Sequence, residues 1–237
     1  MNIIITGASR GIGKAIAASF AGKGNHLFLC ARNEKVLSDT VAELQVKYPA
    51  AVIHARPADL SEKEAAIQFG AWCLQYGIPD ILVNNAGEYI SGNIIDEAEG
   101  NLEKMMAINL FSAYHLTRTL LPQMIGVKPP EGRSRHIFNL CSIASLQAYS
   151  NGGGYSISKF ALSGFSKNLR EELKPHGIKV TAIYPGAVMT DSWSGFDNSG
   201  KRIMEAEDIA AMVLAATGLS PQAVVEDIVL RPLLGDL

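Results

Sequence analysis

Tyr155 and Lys159 stand four residues apart in Tyr155-Ser156-Ile157-Ser158-Lys159. On a helix that spacing puts both side chains on one face. A phenol beside an ammonium could run acid–base chemistry. An ordinary tyrosine has a pKa of about 10, so work near neutral pH needs a drop of ~3 units, or ~4 kcal/mol. An ammonium ~4 Å away at an effective dielectric of ~20 supplies ~4 kcal/mol. Lys159 is therefore expected to lower the pKa of Tyr155 into a useful range. The same pattern also occurs as a plain surface pair, so it needs company to carry meaning.

A second constellation lies at the start of the chain. Thr6-Gly7-Ala8-Ser9-Arg10-Gly11-Ile12-Gly13 joins the apolar run Asn2–Thr6 to a helical pattern. Glycines let the backbone turn sharply and approach a pyrophosphate, while the helix N-terminus offers unpaired N–H donors. A tight strand-to-helix turn is the plainer reading of such a loop, but its place at the first such junction favours a dinucleotide site. NAD sites put an acid at the end of the second strand to accept from the ribose 2′-hydroxyl. Here the sequence reads Leu29-Cys30-Ala31-Arg32-Asn33, with no acid and with an arginine in its place. Arg10 is a second cation for the same region. A charge-assisted hydrogen bond is worth ~1.5–3 kcal/mol. Two of them would shift preference by roughly two to four orders of magnitude. NADP(H) is the expected cofactor; the alternative is that both arginines are ordinary surface charges.

The elements that must position these residues alternate along the whole chain. Short apolar runs predict strands over 2–6, 25–31, 51–55, 81–84, 136–142, 179–184 and 227–231. Their near-continuous hydrophobicity suits strands covered on both faces of a parallel sheet. Helical patterns fall between them, over 11–23, 33–48, 61–76, 101–124, 153–174 and 205–217. The third opens with Ser61-Glu62-Lys63-Glu64, a capping-box pattern. The reading is a single α/β domain over 1–237, with a doubly wound parallel seven-stranded sheet and helices on both faces. Carboxyl ends of parallel strands face the ligand crevice. That places the Asn84-Asn85-Ala86-Gly87 turn and Ser142, at the end of the fifth strand, on the cofactor side. Asn109 falls in the helix after that turn.

The charge balance is 21 basic against 23 acidic residues, a formal net of −2, which argues against a nucleic-acid partner held by a basic face. No apolar run reaches the ~20 residues that span a membrane. The first strand begins directly after Met1, so no signal peptide and a cytoplasmic location are expected. Cys30, Cys73 and Cys141 are odd in number and far apart, and are expected to be inert small residues of the core rather than disulfides or ligands. His26, His54, His115 and His136 form no metal-ligand spacing, and no metal is expected.

Taken in order, Thr6–Gly13, Asn84–Gly87, Ser142, Tyr155–Lys159 and Pro185-Gly186 resemble the motif set of the short-chain dehydrogenase/reductases. The resemblance runs from Ile3 to about Arg231. It implies a Rossmann-type fold and a role for each matched residue. Tyr155 would exchange a proton with the substrate oxygen, Ser142 would hydrogen-bond that oxygen, and Lys159 would hold the nicotinamide ribose. Asn109 would support a water-linked proton relay to the lysine. Gly7, Ser9, Gly11, Ile12 and Gly13 would cradle the pyrophosphate. Asp59, with Leu60 beside it, would reach the adenine amino group. Asn85, Ala86 and Gly87 would line the adenosine ribose side. Pro185, Gly186, Val188 and Thr190 would surround the nicotinamide amide and phosphates. The implied reaction is NADPH-dependent reduction of a ketone or aldehyde, and the implied assembly is a homodimer or homotetramer.

Substrate signals are thinner. The segment 191–204 holds Trp193, Phe196 and Met204, and its aromatics could stack on a planar carbonyl compound or simply anchor the loop. Tyr149 and Tyr184 are further candidate pocket walls. The segments 185–193 and 224–237 resemble sepiapterin-reductase-like members, for which Asp191 is a candidate pterin anchor. A 3-oxoacyl-thioester reductase is the competing enzyme reading, with Lys201 and Arg202 as a small basic patch for an acidic carrier protein. A dinucleotide sensor without catalysis is the reading from another class.

Overall fold

A computed structural model describes residues 1–190, 193, 195–200 and 202–235. Strands β1 (Asn2–Thr6), β2 (His26–Ala31), β3 (Val52–Pro57), β4 (Ile81–Asn84), β5 (His136–Leu140), β6 (Lys179–Pro185) and β7 (Asp227–Leu230) form one parallel sheet in the order β3-β2-β1-β4-β5-β6-β7. Helices α1 (Gly11–Ala21), α2 (Glu34–Lys47) and α7 (Ala206–Thr217) cover one face. Helices α3 (Lys63–Leu74), α5 (Ser112–Gly126) and α6 (Gly153–Leu173) cover the other. The whole is a single α/β domain of Rossmann-like architecture.

The apolar runs explain themselves in this setting. Side chains alternate across a strand, and here both sides meet helices. Ile3 and Ile5 of β1 pack with Phe20 of α1 and Ile209 of α7. Ile4, between them, packs with Phe69 of α3 and Leu120 of α5. Leu27 and Leu29 repeat the first pattern on β2, and Phe28 and Cys30 the second. The three cysteines are buried and free. Among the described residues no group of histidine, cysteine or acid could hold a metal, and no helix is long and apolar enough to cross a membrane.

Three expectations change. The helix expected over 101–124 is α4 (Asn101–Met106), a π-helical turn over Ala107–Phe111, and then α5. The wider turn carries Asn109, whose amide is buried and tied to backbone groups of a neighbouring loop. The capping box at Ser61 does not form. Asp59 Oδ1 accepts both the Ser61 hydroxyl (2.7 Å) and its N–H (3.1 Å), so α3 starts at Lys63 with no side-chain cap. β5 stops at Leu140, and Ser142 instead caps a short 3-10 turn, Ile143–Ser145, accepting the Ala144 N–H at 3.1 Å.

The strand order reverses between β1 and β4, and that is where a crevice opens at the carboxyl ends of a doubly wound sheet. Thr6, at the end of β1, closes the junction. Its hydroxyl accepts the N–H groups of Asn85 and Ala86, each at 2.9 Å. The Asn85 amide returns two bonds, to the carbonyls of Thr6 (2.9 Å) and Gly7 (3.1 Å). Thr6→Val keeps the volume but leaves two amide donors without their acceptor. It should lower unfolding free energy by about 1–3 kcal/mol, read from urea denaturation midpoints.

Candidate active site

A cleft of about 450 Å³ runs along the carboxyl ends of β1, β2 and β4. Gly7, Ser9, Arg10, Gly11 and Ile12 form one wall. Gly7 and Gly11 sit at φ +64° and +51°, where a side chain would strain the backbone. Gly13 lies deeper; a methyl there would stand 2.3 Å from the Gly7 carbonyl oxygen, so the loop can close on α1 only with glycine. Thr40 of α2 pins the loop by donating to the Ser9 carbonyl at 2.8 Å. The N-cap of α1, Arg10, makes no side-chain cap, so the first N–H groups of the helix are left for an anion in the cleft.

At the far end of the cleft stand Arg32, Asp59 and Leu60. The Arg32 guanidinium is mostly exposed and lies 4.0 Å from Asp59 Oδ2. No carboxylate follows β2 in the chain; Asn33 spends its side chain on capping α2. Asn85, Ala86 and Gly87 line the opposite wall, and Thr190 closes the near end. A narrow glycine cradle, open helix amides and an exposed arginine fit a phosphorylated dinucleotide. Pro185, Gly186 and Val188 do not line the cleft with side chains. They are held from behind: Gly186 donates to Leu230 O at 2.8 Å, and Val188 is buried in the core, bridged to Met204.

The titratable groups gather beyond Gly87. A methyl on Gly87 would stand 2.9 Å from Asn109 Oδ1 and 3.5 Å from Lys159 Nζ, so the three converge. Asn109 accepts the Glu88 N–H at 2.8 Å. It donates to the Glu88 carbonyl at 3.0 Å and to Ser158 Oγ at 2.9 Å. Lys159 is 5% exposed and donates to the Leu140 carbonyl at 2.7 Å. Burial pushes its pKa down to about 8, with Cys141 a weaker opposing influence. Tyr155 moves the other way. Burial raises its phenol to about 12, against the hydrogen-bonding pull of Ser142. The expected lowering by Lys159 is absent from the polypeptide alone. The ammonium sits 5.9 Å from the ring centroid, and burial outweighs the lowering pull of Ser142 on the hydroxyl.

Of the candidate substrate residues, Tyr149 is at the site. Burial raises its pKa beyond the usual phenol range, with Tyr89 and Tyr155 acting more weakly in the same direction. Trp193 and Phe196 pack edge to face on each other, centroids 5.4 Å apart, as loop anchors would. Tyr184 is not a pocket wall: it is fully buried in the core, its hydroxyl 3.0 Å from Ser163 Oγ, because β6 is covered on both faces. Asp191 and Lys201 lie outside the described residues. Sequence reasoning missed Tyr89, whose ring stands edge-on to Tyr155 at 4.9 Å. An aromatic residue directly after Asn-Asn-Ala-Gly-Glu, at the carboxyl end of β4, was the available signal.

Lys159 allows a pH test. Its folded pKa of about 8 lies below the unfolded value near 10.5, so the unfolded chain binds more protons between those limits. Stability attributable to this residue therefore rises as pH increases through that window. Relative to Lys159→Met, the wild type should gain on the order of 3 kcal/mol between pH 8 and 10.5, measured by denaturant unfolding at each pH.

The comparisons with known proteins agree with this geometry. Residues 1–199 match the family described as short chain dehydrogenase. The sepiapterin reductase of Chlorobaculum tepidum is 32% identical over 244 residues, covering 99% of this chain and 97% of that protein. The alcohol dehydrogenase of the archaeon Thermococcus sibiricus, solved with 5-hydroxy-NADP, superposes with a TM-score of 0.88 at 25% identity, covering 100% of this chain and 98% of that one. The L-sorbose reductase of Gluconobacter frateurii, solved with NADPH and L-sorbose, gives 0.87 at 27% identity, covering 98% and 95%. The dinucleotide cleft, the tyrosine–lysine helix and these likenesses lead to one statement: the chain belongs to the short-chain dehydrogenase/reductase family of oxidoreductases.

Proposed function

We propose that residues 1–237 form one NADP(H)-binding domain that reduces the carbonyl of a small ketone or aldehyde to an alcohol. The observation that carries this reading is the meeting of Ser142, Tyr155, Lys159 and Asn109 at one end of the glycine-walled cleft. Amides of Ser9 to Ile12 would hold the pyrophosphate, and Arg10 and Arg32 the 2′-phosphate. Asp59 would meet the adenine, and Thr190 with the Pro185–Val188 backbone the nicotinamide end. When bound, that cofactor supplies the hydride and, oxidised, a positive charge beside the phenol.

The chain's own groups then divide the work. Tyr155 keeps its proton in the protein alone, as a donor to the substrate oxygen must. Ser142 shares that oxygen and polarises the carbonyl. Lys159, with one donor spent on Leu140, has others to hold the ribose and to pass protons on. Asn109 fixes the Glu88 backbone and anchors the water relay that leads to the lysine. Both solved structures named above hold NADP-type cofactors, which supports the phosphate reading of Arg32. The likeness to a sepiapterin reductase supports a test of pterin-like carbonyls. Arg202, offered as part of a carrier-docking patch, donates instead to the Gly235 carbonyl at 2.8 Å. Phe111, Tyr114, Ile157 and Phe160 leave an apolar strip on α5, α6 and the π turn, which favours a homodimer or homotetramer.

The test is kinetic. The wild type should oxidise NADPH against at least one member of a small-carbonyl panel and bind NADPH more tightly than NADH. Tyr155→Phe should lose at least ~100-fold in kcat, with the NADPH dissociation constant within about threefold of wild type. Undiminished turnover in that variant, or tighter binding of NADH, would refute the assignment.

A further inference from the structure

The loop after β4 is fastened to the turn that leads into α6. Gly92 N–H donates to the Asn151 carbonyl at 3.2 Å, and Asn151 N–H to Asn93 Oδ1 at 3.0 Å. Gly154 N–H, in the first turn of α6, donates to Glu97 Oε2 at 3.2 Å. Asn151 takes the left-handed conformation, φ 61°, to allow this double contact. At the cleft end of the same seam, Tyr89 stands edge-on to the Tyr155 ring, centroids 4.9 Å apart. The seam therefore holds the loop that carries Tyr89 against the helix that carries Tyr155.

Those rings are placed where a substrate must pass. Ser142 and Tyr155 together fix the position of a carbonyl oxygen. Whatever is bonded to the carbonyl carbon must then lie beside the Tyr155 ring. Tyr89 stands edge-on to that ring at an interplanar angle of 87°. Tyr89, Tyr149 and Leu146 are each about two-fifths exposed. Leu146 follows the 3-10 turn that Ser142 caps. The surface these three offer is largely ring and aliphatic carbon, and the nearby Glu88 is paired with Lys104 at 2.9 Å.

Building on the reductase reading above, we infer that Tyr89 is the specificity-determining residue of the site, selecting carbonyl compounds that carry a flat apolar ring next to the reacting carbon. An aromatic group packs edge-to-face or offset on such a wall, whereas a methyl group leaves it wet. The ring of Tyr89, not its hydroxyl, carries the preference.

A matched pair of diketones isolates the effect: 1-phenyl-1,2-propanedione against 2,3-butanedione, with NADPH oxidation by the full-length protein. The wild type should favour the phenyl compound in kcat/KM by about tenfold or more. Tyr89→Phe should keep that ratio within about threefold, and Tyr149→Phe likewise. Tyr89→Ala should reduce the ratio by about tenfold, with the loss appearing as a higher KM for the phenyl compound. Thermal midpoints of the three variants check folding, and the two phenylalanine variants retain the test if the alanine variant does not fold. Loss of preference in Tyr149→Phe equal to that in Tyr89→Ala would move the decisive role to the Tyr149 hydroxyl and overturn the inference. So would an equal fall for both diketones in Tyr89→Ala, which would make the ring only a support for Tyr155, or a wild type without preference. Absence of turnover with any carbonyl would instead strike down the reductase reading, and this inference with it.

Discussion

One threonine hydroxyl ties the first strand to the fourth, and the site is built outward from that tie. Thr6 accepts two consecutive backbone amides, and Asn85 returns its own amide to the backbone of β1. The constraint is one of hydrogen-bond satisfaction. Two parallel strands that part to opposite sides of a sheet leave unpaired backbone groups at their carboxyl ends. A mutual clasp of side chain and backbone satisfies them without filling the crevice. It also fixes the distance between the glycine loop and the Asn84–Gly87 turn, which are the two walls of the cleft.

From that clasp the geometry propagates through glycine and asparagine rather than through charge. Gly13 lets α1 close on the loop, and Gly87 leaves room for Asn109 and Lys159 to approach one another. The π-helical turn delivers Asn109 at a depth where its amide can serve both Glu88 and Ser158. A regular α-helix would present that position one residue out of phase. Each of these features costs local regularity and brings Asn109 and Lys159 together at Gly87.

The electrostatics follow from burial. The same exclusion of water that makes a phenol a strong partner for a substrate oxygen also raises its pKa, and it lowers that of the neighbouring ammonium. The polypeptide alone thus keeps the proton on Tyr155 and loosens it on Lys159. That is a poised state for a proton donor with a replenishing amine behind it. Further tuning towards neutrality has to come from a charge the chain does not itself carry at that spot. The helix spacing of the pair sets their order along one face, and the distance from Nζ to the phenol is set by the Leu140 carbonyl that holds the lysine.

Strand identity was legible in the sequence because β-branched and apolar residues at every position have one stable home, a parallel sheet covered on both sides. The same local chemistry made the glycine loop, Arg32 in place of an acid, and the Tyr155–Lys159 pair readable, since each depends on residue type and short spacing. What the sequence could not determine rests on long-range competition. Asp59 takes the Ser61 hydroxyl from its helix cap, and both-sided burial of β6 carries Tyr184 into the core. The encounter of Tyr89 and Tyr155 joins residues far apart in the chain, beside a seam of hydrogen bonds between two loops. Burial at Tyr155 overrides a tuning that spacing alone favoured. Short-range pattern fixes which residues can do chemistry; only the folded packing decides how much water each one keeps, and that sets its acidity and its neighbours.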